Sequence, residues 1–302
     1  MDINLKDFAE KQWETEERRR FNFYECPACG AKFFSQEEEK RCVYCGSGMI
    51  MPGFSESVKP DGIIPFSVDK EQAVRQFKNF CSGKRMLPKS ITDLDFSRET
   101  KGIYIPVCVL NARGRSRASF KAVKGESFKK GRTEGIRKDY YLLKREGDVS
   151  FENYMLKNDK IHGFMRDMEP YYFAEARPFD SKYLAGFLSD KFDEDKDEVY
   201  KNVCSGIEKS IVSEYKRDIG GFSNSLLESL EVSFDAQELK YILVPVWLMN
   251  FKYDGEIHSF AVNGQTGKFS GMAPVGNGEY LKYFLLVFVI IAVIGVLIAF
   301  LT

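Results

Sequence analysis

Three observations predict an α+β protein built in several pieces. Two C-x-x-C pairs lie close together near the start of the 302-residue sequence. A P-F motif and a P-V motif recur in the same order in two later stretches. Finally, Tyr283 to Leu301 (YFLLVFVIIAVIGVLIAFL) carries neither charge nor proline. The predicted order is a short helix over 1–20, a metal ribbon over 21–54, two related α+β modules with antiparallel sheets over 63–175 and 176–273, and a transmembrane helix over 283–301. With 44% hydrophobic residues, the part ahead of the apolar run can build real cores. A formal net charge of zero gives no global reason to expect nucleic acid or an acidic partner.

At the N-terminal end, Leu5, Phe8, Ala9 and Trp13 recur at near-helical spacing among charged residues, which predicts an amphipathic helix over roughly 4–19. CPACG at 26–30 and CVYCG at 42–46 follow. Each pair sets two thiolates on one tight turn, and Gly30 and Gly46 accept the positive φ such a turn needs. Cys26, Cys29, Cys42 and Cys45 would repel one another as thiolates without a cation, so they predict one structural zinc. Iron is the alternative that spacing alone leaves open. The spacer has room for a hairpin between the knuckles, with Phe33 and Phe34 covering the site. Four protein ligands close the site, so it would fold the ribbon rather than catalyse.

SESVKPDG at 55–62 has linker composition. Beyond it, IIPFSVDKEQAVRQF (63–77) is echoed by ARPFDSKYLAGF (176–187), and YIPVCVL (104–110) by LVPVWLM (243–249). Each unit reads as a capped helix followed by an apolar strand. Asp69 and Gln72 make a capping-box start, with Ala73, Val74, Phe77, Phe80 and Cys81 on one face. In the second unit Ser181 is a cap candidate, and a longer helix near 194–217 carries Val199, Tyr200, Val203, Ile207, Ile211 and Tyr215. Pro106 and Pro245 predict edge strands or bulges. Asp254-Gly255 and Asn263-Gly264 are hairpin signals, with Gly267 closing the second turn. REGD (145–148) predicts a further turn, and GNG (276–278) a flexible link to the last helix.

The apolar run spans roughly 28 Å as a helix, enough for one membrane crossing. Lys282 at its entry and a charged N-terminus without a signal-type apolar run predict a C-terminally anchored, single-pass membrane protein whose bulk faces the cytoplasm. The cysteines agree, since Cys81, Cys108 and Cys204 are scattered singly rather than paired as a disulfide framework.

The ribbon, the IIPF-x-x-x-K-x-x-A helix, the G-x-Y-x-P-V strand, the P-F-x-x-x-Y-L-A-G-F stretch and LVPVWLMNFKYDGEIHSFAVNGQTGK (243–268) together resemble the bacterial membrane-associated TFIIB-type zinc-ribbon proteins, often labelled primosomal-protein- or helicase-like. The V-N-G-Q-T-G-K hairpin is the most specific part. The resemblance implies a membrane location, no established catalysis, and in some members association with SPFH-type (flotillin-like) or envelope-stress membrane proteins. Helicase chemistry is excluded, because no G-x-x-x-x-G-K-[ST] loop exists and Gly83-Lys84 lacks its context.

Other catalytic constellations fail too. His162 and His258 sit in no ligand or triad motif, and Asp193, Asp195 and Asp197 lack the glycine and glutamate a calcium loop requires. No enzyme is expected. Between Lys101 and Arg145, thirteen basic residues face three acidic ones, including Arg113, Arg115, Arg117, Lys129, Lys130 and Arg132. This excursion predicts an anionic partner, either membrane lipid or an acidic membrane-associated protein. The function expected is a non-enzymatic membrane-tethered scaffold or adaptor, with membrane-proximal nucleic-acid binding through the ribbon and residues 113–145 as the alternative.

Overall fold

The computed structural model describes residues 13–51, 58–84, 86–130, 133–156, 165, 167–191 and 196–301. In chain order the elements are α1 (Thr15–Arg18), β1 (Asn22–Glu25), β2 (Lys32–Ser35), β3 (Gly62–Ile63), α2 (Lys70–Ser82), α3 (Lys89–Thr92), α4 (Phe96–Glu99), β4 (Lys101–Lys130) and β5 (Thr133–Met155). Then come β6 (Arg177–Pro178), β7 (Leu188–Asp190), α5 (Lys196–Asp218), β8 (Asn224–Tyr253), β9 (Glu256–Asn263), β10 (Phe269–Gly271) and α6 (Asn277–Leu301). The class is α+β, as the sequence predicts. All the strands belong to one sheet with the path β1-β2-β7-β4-β8-β3-β6, to which β5 adds on β4 and β9 on β8. The stretches read as two modules therefore meet inside it. YIPVCVL and LVPVWLM lie antiparallel to each other, with Pro106 opposite Leu243 and Tyr104 opposite Pro245.

Neither proline is on an edge strand. The carbonyls of Leu243 and Pro245 accept from Ile64 and Gly264, so these residues turn their backbone polar groups away from β4. Pro245 sits where the outer neighbour of β8 changes from β3, paired through Leu243, to β9, paired from Val246. Pro106 occupies the matching place on β4, between β7 at Tyr104 and β5 from Val109. A residue with no N–H is tolerated in the middle of a sheet at a point where no neighbour asks for one.

Both strands are buried on both faces here, which explains their unbroken apolar runs. Ile103, Ile105, Val107 and Val109 pack on one side with Val244, Val246 and Leu248. Tyr104, Cys108 and Leu110 pack on the other with Tyr241, Leu243 and α5. A third cluster joins α2–α4 to β8 and β9 through Phe77, Phe96, Met249 and Phe260. The α2 capping box forms as predicted, with Gln72 N donating to Asp69 Oδ1 at 2.6 Å and Asp69 N donating to Gln72 Oε1 at 3.0 Å. Val199, Val203, Ile207 and Ile211 make the buried stripe of α5.

Several local expectations are corrected. The cap before residues 181–184 is Asp180, whose carboxylate accepts from Lys182 N, and the segment is a 3-10 turn. REGD is not a turn: β5 runs straight through it, with Glu146 opposite Arg117 and Asp148 opposite Arg115. Asp61 and Gly62 are not linker. Asp61 exchanges hydrogen bonds with Tyr241, and Gly62 pairs with Ile242. Asp254-Gly255 forms the two-residue hairpin, with both φ angles positive at 52° and 81°. Asn263-Gly264 instead opens a longer loop, closed by Gly267 and by the Asn263 N–H to Lys268 carbonyl bond. Leu5, Phe8 and Ala9 lie outside the described residues. Trp13 is buried ahead of α1, edge-on to Phe21, Phe34 and Phe179. Finally, α6 begins at Asn277, inside the stretch predicted as a link, and Gly276 N donates to Met86 O at 2.9 Å.

Past Leu110 the sheet narrows to an arm. From Ala112 to Val123, β4 is flanked by β5 and β8, and beyond Val123 only β4 and β5 continue, to Lys130 and Thr133. At about 3.3 Å per residue, β4 alone carries the arm roughly 60 Å. The helix α5 covers its inner face, where Phe120 and Ala118 pack with Ile219, and Tyr215 Oη lies 2.7 Å from Ser116 Oγ. Gly114 is required at the bulge near the root, since a Cβ there would stand 2.1 Å from Ser233 O.

Candidate metal centre and the outer face of the arm

Cys26, Cys29, Cys42 and Cys45 come together with all four sulfurs within 4.8 Å of one another, a group that can hold one metal ion. Cys26 and Cys45 Sγ are 3.4 Å apart, and Cys29 and Cys42 Sγ 3.6 Å. A tetrahedral zinc with bonds of about 2.3 Å would hold its sulfurs about 3.8 Å apart, so the cluster fits that ion with little movement. Gly30 and Gly46 adopt φ of 74° and 72° and donate back to the Cys26 and Cys42 carbonyls, closing the two knuckles. Tyr44 N points at Cys42 Sγ from 3.4 Å, the kind of N–H to sulfur contact the knuckle turn sets up. Burial pushes the Cys42 thiol up. In Cys45 burial also opposes ionisation, but hydrogen bonds from Ser47 and the neighbouring thiols outweigh it and bring the thiol down to about 6.

The hairpin is not between the knuckles, as the spacer suggests, but around the first one. β1 and β2 flank Cys26 and Cys29, with Glu25 opposite Lys32, while the second knuckle is tied on by the Glu25–Ile50 bridge. Phe33 and Phe34 divide their work because strand neighbours point to opposite faces. Phe33 packs with Cys26, Cys42 and the Tyr44 ring, at 5.4 Å, whereas Phe34 packs with Trp13 and Phe21 on the far side.

The ribbon is also continuous with the main sheet. Phe33 and Phe34 pair with Asp190 and Ser189 of β7. Tyr44 Oη donates to Asp190 Oδ2 at 2.5 Å, and burial with the adjacent carboxylate holds that phenol firmly protonated. Asn250 Nδ2 donates to the Val43 and Tyr44 carbonyls at 2.6 and 3.1 Å. These partners escaped sequence reasoning, although a lone asparagine at the end of an apolar run such as LVPVWLMN was a readable signal of a buried polar contact. Between this knuckle and β8–β9 lies an open cleft of about 650 Å³ whose rim mixes Glu38, Glu39 and Glu99 with Lys101 and Lys252.

The VNGQTGK loop is likewise a clamp. Asn263 is wholly buried and fully used: its Oδ1 accepts from Gln265 N and Thr266 N, and its Nδ2 donates to the Met168 and Pro170 carbonyls. Gln265 adds a two-way exchange with the Tyr172 backbone and a bond to Glu175. The loop fastens residues 168–175 over the sheet.

The basic excursion forms the arm, and its outer face has two parts. Arg113, Arg115 and Arg117 are exposed near the root, where each meets a carboxylate of β5: Glu152 at 2.9 Å, Asp148 at 3.5 Å and Glu146 at 3.2 Å. Lys121 reaches Glu228 of β8 at 2.7 Å. Lys129 pairs with Glu134 near the tip, while Arg132 and the side chain of Lys130 lie outside what the structure describes. The count of thirteen against three stopped at Arg145, one residue short of the acids that answer the arginines. Farther out, Ile136, Lys138, Tyr140, Leu142 and Lys144 alternate along the same face of β5, and Leu226 joins them across Lys121. Ile136, Tyr140, Leu142 and Leu226 are 67%, 77%, 57% and 66% exposed. Among the described residues neither Lys138 nor Lys144 forms an ion pair.

At the C-terminal end, Tyr280–Ile298 is long and apolar enough to cross a membrane, with a mean hydropathy of 2.9 and none of it buried against the protein.

Compared with known proteins, the chain is 25% identical over 248 residues to the uncharacterized protein YdjG of Bacillus subtilis (strain 168), covering 79% of this chain and 71% of that one. No family model matches the sequence, and no solved structure matches the fold.

Proposed function

We propose that this protein is a non-enzymatic scaffold, held on the cytoplasmic face of the cell membrane by α6, that presents the distal outer face of its arm to a membrane- or envelope-associated protein. The observation that carries this reading is the contrast along the arm. Ion pairs occupy the outer face near the root and at the very tip, whereas between them four large apolar side chains stand exposed around the Lys121–Glu228 pair, in a chain that has ample core elsewhere. Exposed apolar clusters of this kind mark interaction surfaces. In the proposed protein Cys26, Cys29, Cys42 and Cys45 hold one zinc, which supplies a cross-link that folds the ribbon. The family resemblance makes an SPFH-type membrane protein the partner class to examine first.

The alternative, a phosphate-tracking nucleic-acid binder, has less support, since the three arginines that would reach a backbone already face carboxylates. A photo-crosslinking side chain placed at Tyr140, with a second at Ser150 on the paired part of the face as control, separates the readings. Protein adducts at residue 140 and not at 150 are expected in membrane fractions. Adducts that disappear on nuclease treatment, or no protein adduct at 140, would overturn the scaffold.

A further inference from the structure

The helix α6 is not a loose tether. The structure assigns a second membrane contact, a small apolar foot around the root of this helix that seats the body of the protein in the lipid headgroup layer. The inference rests on the reading that α6 crosses the bilayer and goes beyond it by fixing how the rest of the molecule stands.

Gly276, immediately before α6, is buried and donates its N–H to Met86 O at 2.9 Å, so the helix start is pinned to the connector between α2 and α3. Three apolar side chains are exposed around that point: Met86 at 39%, Val275 at 51% and Met272 at 86%. They come from separate parts of the chain, Met86 from the connector after α2 and Met272 and Val275 from the stretch before α6. They are brought together by this hydrogen bond and by the cluster that holds Leu87, Phe80, Phe269 and Ala273, with Phe80 stacked on Phe269 at 4.3 Å. Lys84, over the Phe80 ring at 4.8 Å, brings positive charge to the same margin.

Depth decides the occupant. The apolar span begins at Tyr280. At 1.5 Å per residue, Gly276 lies about 6 Å above Tyr280 and about 10 Å above Tyr283, where the uncharged run begins. The headgroup layer is itself about 5–8 Å thick on each side, within the reach of a methionine side chain. A side chain attached beside Gly276 therefore stands at headgroup depth, where amphipathic surfaces bury apolar groups and lysines meet anionic lipid. Lipid is the neighbour that the span itself brings to Met86, Met272 and Val275, and the charge at the margin has the complementary sign.

The test uses the full chain in nanodiscs containing anionic phospholipid, oxidised briefly with chloramine-T, a charged reagent that stays in water. Methionine sulfoxide is then read residue by residue. Met51, 62% exposed on the ribbon, is the internal reference. Although Met272 is the more exposed in the protein alone, it is expected to oxidise at least about threefold more slowly than Met51, with Met86 also protected. Equal or faster oxidation of Met272 would overturn the proposal. A parallel alkaline carbonate wash of native membranes keeps the two readings apart. Release of the protein by alkali would remove the membrane reading of α6 together with this inference, whereas retention with unprotected Met272 would remove the foot alone.

Discussion

The ribbon and the arm hold themselves together by opposite means. The ribbon brings four sulfurs, two knuckles and a short hairpin into contact within residues 22–50, and its order depends on side chains: thiols, Phe33, Tyr44 and Asn250. The arm depends on backbone ladders, since β4 pairs with β5 through a local hairpin and with β8 from more than a hundred residues away. Its core comes from α5 and from Ile219 and Phe222 just after it. A region made of local chemistry stands or falls with a few residues, whereas a region made of ladders yields in proportion to the contacts removed. Substitutions that separate these behaviours break or sharpen the comparison.

The largest effect is expected at Cys42, which is buried inside the cluster. Structural zinc in such sites is worth about 10–16 kcal/mol in apparent binding free energy, most of it coupled to folding. Cys42→Ser should lower bound zinc from one equivalent to none and open residues 26–46 to protease, while amide protection along β4 and β5 persists. Retained stoichiometric zinc would count against a four-thiolate site. Loss of protection in the arm as well would show that the two regions fold as one unit.

Phe120→Ala is the converse. The side chain is wholly buried beneath α5 and Ile219, so its removal should cost about 3–5 kcal/mol. Hydrogen exchange should accelerate at 116–122 and at the C-terminal end of α5, with zinc content unchanged. Asn263→Ala strikes the part of the sheet that both regions share. It leaves up to four buried partners unpaired and should cost roughly 2–3 kcal/mol, and the readable consequence is protease cleavage within 168–175. If that segment stays protected, the clamp is not what holds it.

How much of this was visible in the sequence follows the same division. The four-cysteine cluster, the α2 cap, the α5 stripe and the apolar helix were legible because each is a pattern within a few turns of chain, where spacing dictates which atoms meet. The arm was not. Nothing local reveals that Arg117 will face both Glu146 and Glu231, because those distances are set by strand register. REGD looked like a turn for its composition, yet pairing with β4 supplied every backbone partner and overrode it. Pro106 and Pro245 looked like edge residues because the sequence shows that a donor is missing but not that no neighbour asks for one.

The smallest effect on stability is expected from Arg113, Arg115 and Arg117 replaced together by glutamine, yet this variant bears most directly on function. Exposed ion pairs contribute little individually, and these side chains remain 62–79% exposed, so the melting temperature should move by no more than about 1–2 °C. The use of the arginines differs between the two functional readings. If their charge is answered by Glu152, Asp148 and Glu146, the wild-type protein in nanodiscs should bind neither DNA nor RNA appreciably at physiological salt, and the variant should behave the same. Crosslinking from residue 140 should persist in it, because Tyr140 and Leu142 are untouched. If the wild type instead binds nucleic acid at micromolar affinity, with a steep log–log salt slope that falls by about two to three units in the variant, then the arginines leave their carboxylates for phosphate. In that event the whole outer face, and not only its apolar tip, would be the working surface.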